Sequence, residues 1–480
     1  MIFSAIEFNA YEPIYIQIKN NIMDMISKGM LIKGSKLPST RELSNILNVS
    51  RNSILSAYDE LKSEGIIYSV KGKGTFVNIS NISTSNTWRF DWNSTLNDYG
   101  CLCNELDIVK NEIPWEKNLI SFKSISPEGE LFDIDEVKKS FLSRISLDGH
   151  KLLNYGYAKG YKPLIDYLLS YMTDKGVDVS NKDIIITNGF TEALDMILSS
   201  FTYPGDNIIC ENPTHNTAIK LFKVHSLNIL GISMTDKGVD LHELEDILKN
   251  NNPKLSFFIP SYHNPTGVVM KHNERYDLYN LMKKYNIPII EDGFSEELLH
   301  TGSHISPIVS LDQGSNGVLY IGSFSKILFP GMRIGWILAD KSAISSLESV
   351  KRCKTIHVSL IDQAILYDYL NNGSFDKYLK KIRKFYKEKY EFAMQCIDKY
   401  IDCEYVLGEG GLHIFIKLKN INSRLLLEKC YSKNVIFMPG DIFFTNEDGS
   451  DTLRLGFSKL SLEEISEGIK IIGECINEFT

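Results

Sequence analysis

The chain has 480 residues, of which 43% are hydrophobic and 23% charged, with a formal net charge of −8. That balance excludes a mostly disordered chain and a protein that coats nucleic acid nonspecifically. No apolar run reaches the roughly 18 residues needed to span a bilayer. The first residues lack a basic n-region and the eight cysteines are sparse and without metal-binding spacing, so we expect no signal peptide, no metal site and reduced thiols in a cytoplasm. Residues 1–77 hold nine Lys/Arg against seven Asp/Glu, a net of +2, whereas the remainder carries −10.

Tyr15, Ile18, Ile22, Met25 and Ile26 recur at helical spacing and predict a helix over 13–28. Leu37-Pro38-Ser39-Thr40-Arg41-Glu42 opens a second helix, with Ser39 and Glu42 as a capping box and Leu43, Ile46 and Leu47 as its buried face. After a tight turn at Asn48-Val49, Ser50 caps a third helix whose core face is Ile54, Ala57, Tyr58 and Leu61. Two short strands then flank Lys71-Gly72-Lys73-Gly74. The pattern is a winged helix-turn-helix, in which Arg51, Asn52 and Ser53 would enter the major groove while Arg41, Lys71 and Lys73 neutralise phosphates. On spacing alone, a three-helix protein-interaction module stays open.

Residues 78–117 are rich in Asn and Ser and read as a linker, yet they hold Trp88, Trp92 and Trp115, three of the four tryptophans. A plain tether would be poor in aromatics, so we expect docking on the domain that follows, unless the tryptophans are incidental. From Asn118 short apolar strands such as 184–187, 207–210, 255–259 and 287–290 alternate with helices, predicting a mostly parallel sheet in a large domain over 118–350. Beyond 350, long amphipathic helices around a strand pair predict a smaller α+β domain over 351–480.

Four segments carry the chemistry: Pro260–Gly267 with Asn264, Ile290-Glu291-Asp292, Gly322-Ser323-Phe324-Ser325-Lys326, and Gly331-Met332-Arg333. At the C-terminal ends of parallel strands, polar residues line a ligand crevice. A lysine there can form a Schiff base with an aldehyde, and an aspartate can hold a pyridinium proton. Serines and an arginine can bind a phosphate, and an asparagine can donate to a ring oxygen. Pyridoxal phosphate requires all four roles, though each motif taken singly is more often structural.

Two resemblances sharpen these readings. Leu37–Leu43, Val49–Ser53 and Lys73–Val77 closely resemble the GntR family of bacterial repressors, which implies DNA binding. Residues from about 118 to 478 resemble fold type I pyridoxal-phosphate-dependent aminotransferases. By motif, that resemblance implies that Lys326 is the aldimine lysine, Asp292 the partner of the ring nitrogen and Asn264 that of the ring hydroxyl. It further implies that Ser323, Ser325, Arg333 and Thr191 bind the phosphate, that His215 stacks on the ring, and that Arg454 holds a carboxylate bidentately. Tyr155 corresponds to a tyrosine that reaches the phosphate across a dimer interface.

The combination resembles the MocR-like regulators, implying a homodimer that reads paired operator half-sites and senses pyridoxal phosphate, an amine or an amino acid. Four features depart from the aminotransferase pattern: His215 and Phe294 each stand where tyrosine is usual, Leu164-Ile165 where Leu-Arg is, and Gly189 is followed by Phe190 and Thr191 where small polar residues are usual, which makes Thr191 the phosphate ligand expected there. Phe294 cannot donate to the ring oxygen. The alternative is an active aminotransferase with a vestigial DNA-binding module. Arg454 could also pair internally with an Asp or Glu.

Overall fold

The structure, a computed structural model, describes residues 3, 8–9, 11–79, 90–114, 116, 118–293, 296–298, 304–446 and 448–479. Trp88, Trp115 and Phe294 lie outside the described residues. The chain divides into two compact units, Met1–Leu96 and Asn97–Thr480.

In the first unit, helices Ile14–Ser27, Thr40–Leu47 and Arg51–Ser63 enclose a core of Ile18, Ile22, Leu43, Ile54, Ala57 and Leu61. Both expected caps form: Ser39 and Glu42 close a reciprocal capping box, and Ser50 Oγ accepts from the Ser53 N–H over 3.1 Å. Asn48 takes the left-handed conformation (φ 51°) that the sharp turn between the second and third helices needs. The wing is a hairpin of Ile67–Val70 and Gly74–Val77. A third strand, Lys36–Leu37, adds to it antiparallel and was not foreseen.

The second unit is built on an eight-stranded sheet. Its order is Lys182–Thr187, Gly335–Asp340, Val318–Ser323, Ile289–Asp292, Pro253–Phe258, Asn207–Asn212, Asn228–Thr235 and Gly238–Val239. Gly335–Asp340 runs antiparallel to both neighbours, the short last strand is antiparallel to its neighbour, and the remaining pairs are parallel. The parallel strands therefore end on one edge, which brings Asp292 and Ser323, each the last residue of its strand, to the same edge of the sheet, with Asp292 opposite Ile321 and Ser323 two residues beyond.

The smaller sheet has four antiparallel strands rather than a pair: Cys403–Leu407, His413–Leu418, Thr452–Gly456 and Met438–Pro439. The expected boundaries also shift. Residues 97–114 belong to the second compact unit. Helix Asp98–Glu105 packs on helix Asn216–Val224, and Glu112 pairs with Arg424 at 3.1 Å. The chain from 118 enters the smaller core first, since Ile120–Ser121 pairs with Val435–Ile436 and Phe122 is buried there. Conversely, residues through Tyr386 pack in the larger core, so the two cores meet along the helix Ser374–Tyr400 rather than at residue 350. Amphipathic burial continues along that helix while its partner changes, and a composition scan cannot detect such a handover.

Candidate cofactor and effector site

The phosphate end of the site forms around helix Phe190–Phe201. Gly189 precedes it at φ 79°, and no side chain caps its first N–H groups, which leaves them for an anion. A Cβ on Gly189 would lie 2.6 Å from Arg333 Nη2, so only glycine lets that guanidinium reach the helix end. Arg333 donates from Nη2 to the Asn188 carbonyl over 3.2 Å. Ser323 Oγ lies 2.9 Å from Ser325 Oγ and accepts from the Ser325 N–H at 3.2 Å. Thr191, in the first turn of the same helix, is exposed.

At the ring end, Asp292 is buried, and desolvation lifts its carboxyl to about 8 against the opposing pull of Lys326. Lys326 is half-buried. Desolvation first, then Arg454, bring its amine down to about 8, into the range of a nucleophile at neutral pH. His215 lies against Phe190, with ring centroids 5.1 Å apart, and burial brings it down to about 3, so it is neutral.

Asn264 is 1% exposed, and its Oδ1 accepts from Arg454 Nη1 over 2.8 Å. Arg454, on strand Thr452–Gly456, is 5% exposed. Its Nη2 donates to the Lys123 carbonyl at 3.1 Å and its guanidinium lies 4.9 Å over the Phe443 ring. Burial alone pushes it down to about 9. No carboxylate pairs with it among the described residues, so the internal ion pair considered above does not form there.

Several buried polar atoms in this region have no partner: Asn264 Nδ2, Arg454 Nε and His215 Nδ1. A buried unsatisfied donor costs about 1–3 kcal/mol, so three together mark a place made for a polar ligand. Helix end, serines and Arg333 for a phosphate, Asp292 for a ring nitrogen, Asn264 for a ring oxygen and Lys326 for an aldehyde fit pyridoxal phosphate.

Tyr155 stands apart from this group. It is 86% exposed, and its ring meets His357 edge-on at 6.1 Å between centroids. The residues expected to face DNA belong to the first unit. Arg41, Arg51, Asn52, Lys71 and Lys73 are exposed, Ser53 is half-buried, and Arg51 Nε donates to Thr40 Oγ1 over 3.3 Å.

Sequence reasoning missed two groups. Arg275 is buried and donates to the Met270 and Pro260 carbonyls and to Ser261 Oγ at 2.8–3.0 Å, fixing both ends of the loop that carries Asn264. His263, 3.9 Å from Glu211, and His413, whose Nε2 lies 3.1 Å from the His263 carbonyl, are both held down to about 3 by burial, which lifts the Glu211 carboxyl to about 8. Arg275 falls in no motif, and His263, although inside Pro260–Gly267, carries no role that the motif announces.

Residues 119–472 match the family of class I and II aminotransferases. The chain belongs to this family. Residues 14–77 match the gntR family of bacterial regulatory proteins, and the fusion of the two is the architecture of MocR-like regulators. Aromatic-amino-acid aminotransferase 1 of Thermococcus litoralis is 33% identical over 370 residues, covering 75% of this chain and 88% of that protein. An uncharacterized HTH-type transcriptional regulator of Bacillus subtilis, YdfD, is 28% identical over 97% of both chains. Among solved structures, a multiple substrate aminotransferase from Thermococcus profundus superposes with a TM-score of 0.76 at 31% identity, over 81% of this chain and 99% of that one. Aminotransferases of this family use pyridoxal phosphate, the cofactor that the site fits.

Proposed function

We propose that this chain is a pyridoxal-phosphate-dependent transcriptional regulator whose aminotransferase-like unit binds a carboxylated amine, an amino acid, through Arg454. The observation that carries the reading is the buried Arg454 guanidinium, held by neutral oxygens only, with Nε unpartnered. A buried cation without an anion is costly, and a carboxylate is the planar two-pronged partner it lacks. The cofactor supplies an aldehyde and an electron-withdrawing ring. This chain's residues hold its phosphate, orient its ring and keep the Lys326 amine poised.

A full-length relative named as a regulator and a first unit with exposed Arg41, Arg51, Lys71 and Lys73 support DNA as the output. Two copies would read paired half-sites in the cytoplasm. No helix among the described residues is long and apolar enough to cross a membrane. The test is electrophoretic mobility of the chain's own upstream DNA with and without pyridoxal phosphate and candidate amino acids. No shift under any condition refutes the reading.

A second reading, a working aminotransferase, is favoured by the 33% identity to an enzyme of that name. Repeated turnover with an amino acid and a keto acid would select it; a single-equivalent response selects the sensor.

A further inference from the structure

The helix whose start is suited to a phosphate carries a carboxylate in its first turn. Glu192 turns back on the start of helix Phe190–Phe201, where one of its oxygens accepts from the Asn188 N–H. Asn188 is also the residue whose carbonyl accepts from Arg333 Nη2 at 3.2 Å. An acidic side chain in a first turn stabilises a helix that binds nothing. Here it faces the same partial positive charge that a phosphate would use, and it repels that phosphate.

Two groups from a remote stretch of chain answer this charge. Lys351 Nζ donates to Glu192 Oε2 at 3.2 Å, and Thr355 Oγ1 donates to Glu192 Oε1 at 2.7 Å. Lys351 lies on helix Lys341–Lys354 with its side chain wholly buried, and the Glu192 side chain is 11% exposed. Salt therefore screens this pair little. The Thr355 N–H returns to the Lys351 carbonyl at 2.9 Å, which fixes the two donors relative to each other. Against desolvation, the Thr355 hydroxyl, the Asn188 N–H and Lys351 hold the Glu192 carboxyl below the usual range, so it is ionised at neutral pH. Apolar residues can often replace a buried ion pair without loss of stability. What sets this pair apart is its place, one turn from the start of the helix. A phosphate monoester carries about −1.5 to −2 charges at neutral pH, so a single charge gained or lost here matters to it.

We propose that Glu192 and Lys351 set how tightly this site holds the cofactor's phosphate: Glu192 weakens the hold, and Lys351, acting through Glu192, limits the weakening. The inference rests on the reading that this helix start and Arg333 bind that phosphate. Glu192 is thereby an affinity-determining residue and Lys351 a positioning one. Such a site exchanges its cofactor with the surrounding pool more readily than the helix start and Arg333 alone would allow, which suits a protein that reports on that cofactor.

The test titrates the full-length protein, freed of cofactor, with pyridoxal phosphate and with pyridoxal, following visible absorbance. The ratio of the two dissociation constants isolates the phosphate, because a general loosening of the fold weakens both probes and leaves the ratio unchanged. Glu192→Gln keeps an oxygen for Asn188 and Lys351 and should raise the preference for the phosphorylated probe about tenfold. Lys351→Met should lower it about tenfold, and the double variant, with both charges gone, should return to within about threefold of wild type. If Lys351→Met does not fold, Glu192→Gln and the double variant decide the matter, the first tightening and the second not. Single variants that move the ratio in the same direction or by less than about twofold, or a double variant that fails to return, overturn the proposal while leaving the phosphate site standing. Wild-type protein with no preference for the phosphorylated probe overturns the reading of the helix start, and this inference with it.

Discussion

Arg454 Nη1 donates to Asn264 Oδ1 over 2.8 Å, joining a strand of the smaller sheet to a loop of the larger domain through one buried hydrogen bond. The residue suited to an effector's carboxylate is thus tied to the residue suited to the cofactor's ring oxygen. Anything that draws the guanidinium toward an anion changes what Asn264 Oδ1 accepts, and so couples effector position to cofactor environment. Arg454→Ala should weaken carboxylated amino acids by about 100-fold, the cost of stranding a charge, and leave amines without a carboxylate little affected. Cofactor absorbance during titration measures both. An unchanged affinity for amino acids would remove this arginine from effector reading.

Lys326→Ala should abolish the visible absorbance of lysine-linked cofactor while the circular dichroism of the fold persists. Only an amine can form the link, and Lys326 lies beside Asp292 and Arg333 closely enough for both to shift its titration. Visible absorbance that survives dialysis in the variant, or cofactor fixed covalently to the variant by borohydride reduction, would place the link elsewhere.

Much of the site was legible because its residues lie in short segments at strand ends, where one stretch of chain holds Ser323, Ser325 and Lys326 together. The winged helix was legible for a similar reason: capping boxes and αL turns are local chemistry, and Ser39, Ser50 and Asn48 each perform the role their residue type suggests. The two-residue strand Ile120–Ser121 was not legible, because two residues have no periodicity and their partner Val435–Ile436 is remote in the chain. Arg275 was missed because its partners are chiefly backbone carbonyls, which every sequence possesses.

Asp292 makes the cofactor-free protein sensitive to alkali. Burial lifts its carboxyl to about 8 in the folded chain from the ordinary 3.8, so between those values the folded chain holds a proton that the unfolded chain has lost. Stability from this group is full at low pH and declines as pH rises through that window. Asp292→Asn removes the decline, so its melting temperature relative to wild type should climb from about pH 4 to about pH 8 and then level. Thermal unfolding of both proteins across that range measures it; a difference independent of pH would contradict the assignment.

Arg51→Ala should weaken operator binding by about 1–3 kcal/mol and, if the contact is to phosphate, reduce the salt slope by about one. Arg51 is exposed at the start of the third helix, held toward Thr40 by one long hydrogen bond. Cofactor absorbance should not change. Binding that ignores salt would point to a protein partner instead.

The helix Ile134–Leu152 and the loop after it expose Leu142, Leu147, Leu153, Tyr155 and Tyr157, all more than 60% accessible. So much apolar surface in one stretch is characteristic of an interface. The cofactor-loaded protein should sediment as a dimer at micromolar concentration, and Leu147→Asp should shift it toward monomer. A wild-type monomer under those conditions would leave Tyr155 without a phosphate to reach.

The pairing of Glu112 with Arg424 spans 312 positions of chain. On the ribosome, the DNA-binding unit is complete long before the partner of this segment has been made. For most of synthesis, therefore, Glu112 and residues 118–123 trail from a finished head with their eventual contacts still unmade, and the smaller domain can close only when the last hundred residues emerge. Nascent chains arrested before residue 424 should be cut by proteases in this stretch, and full-length chains protected there.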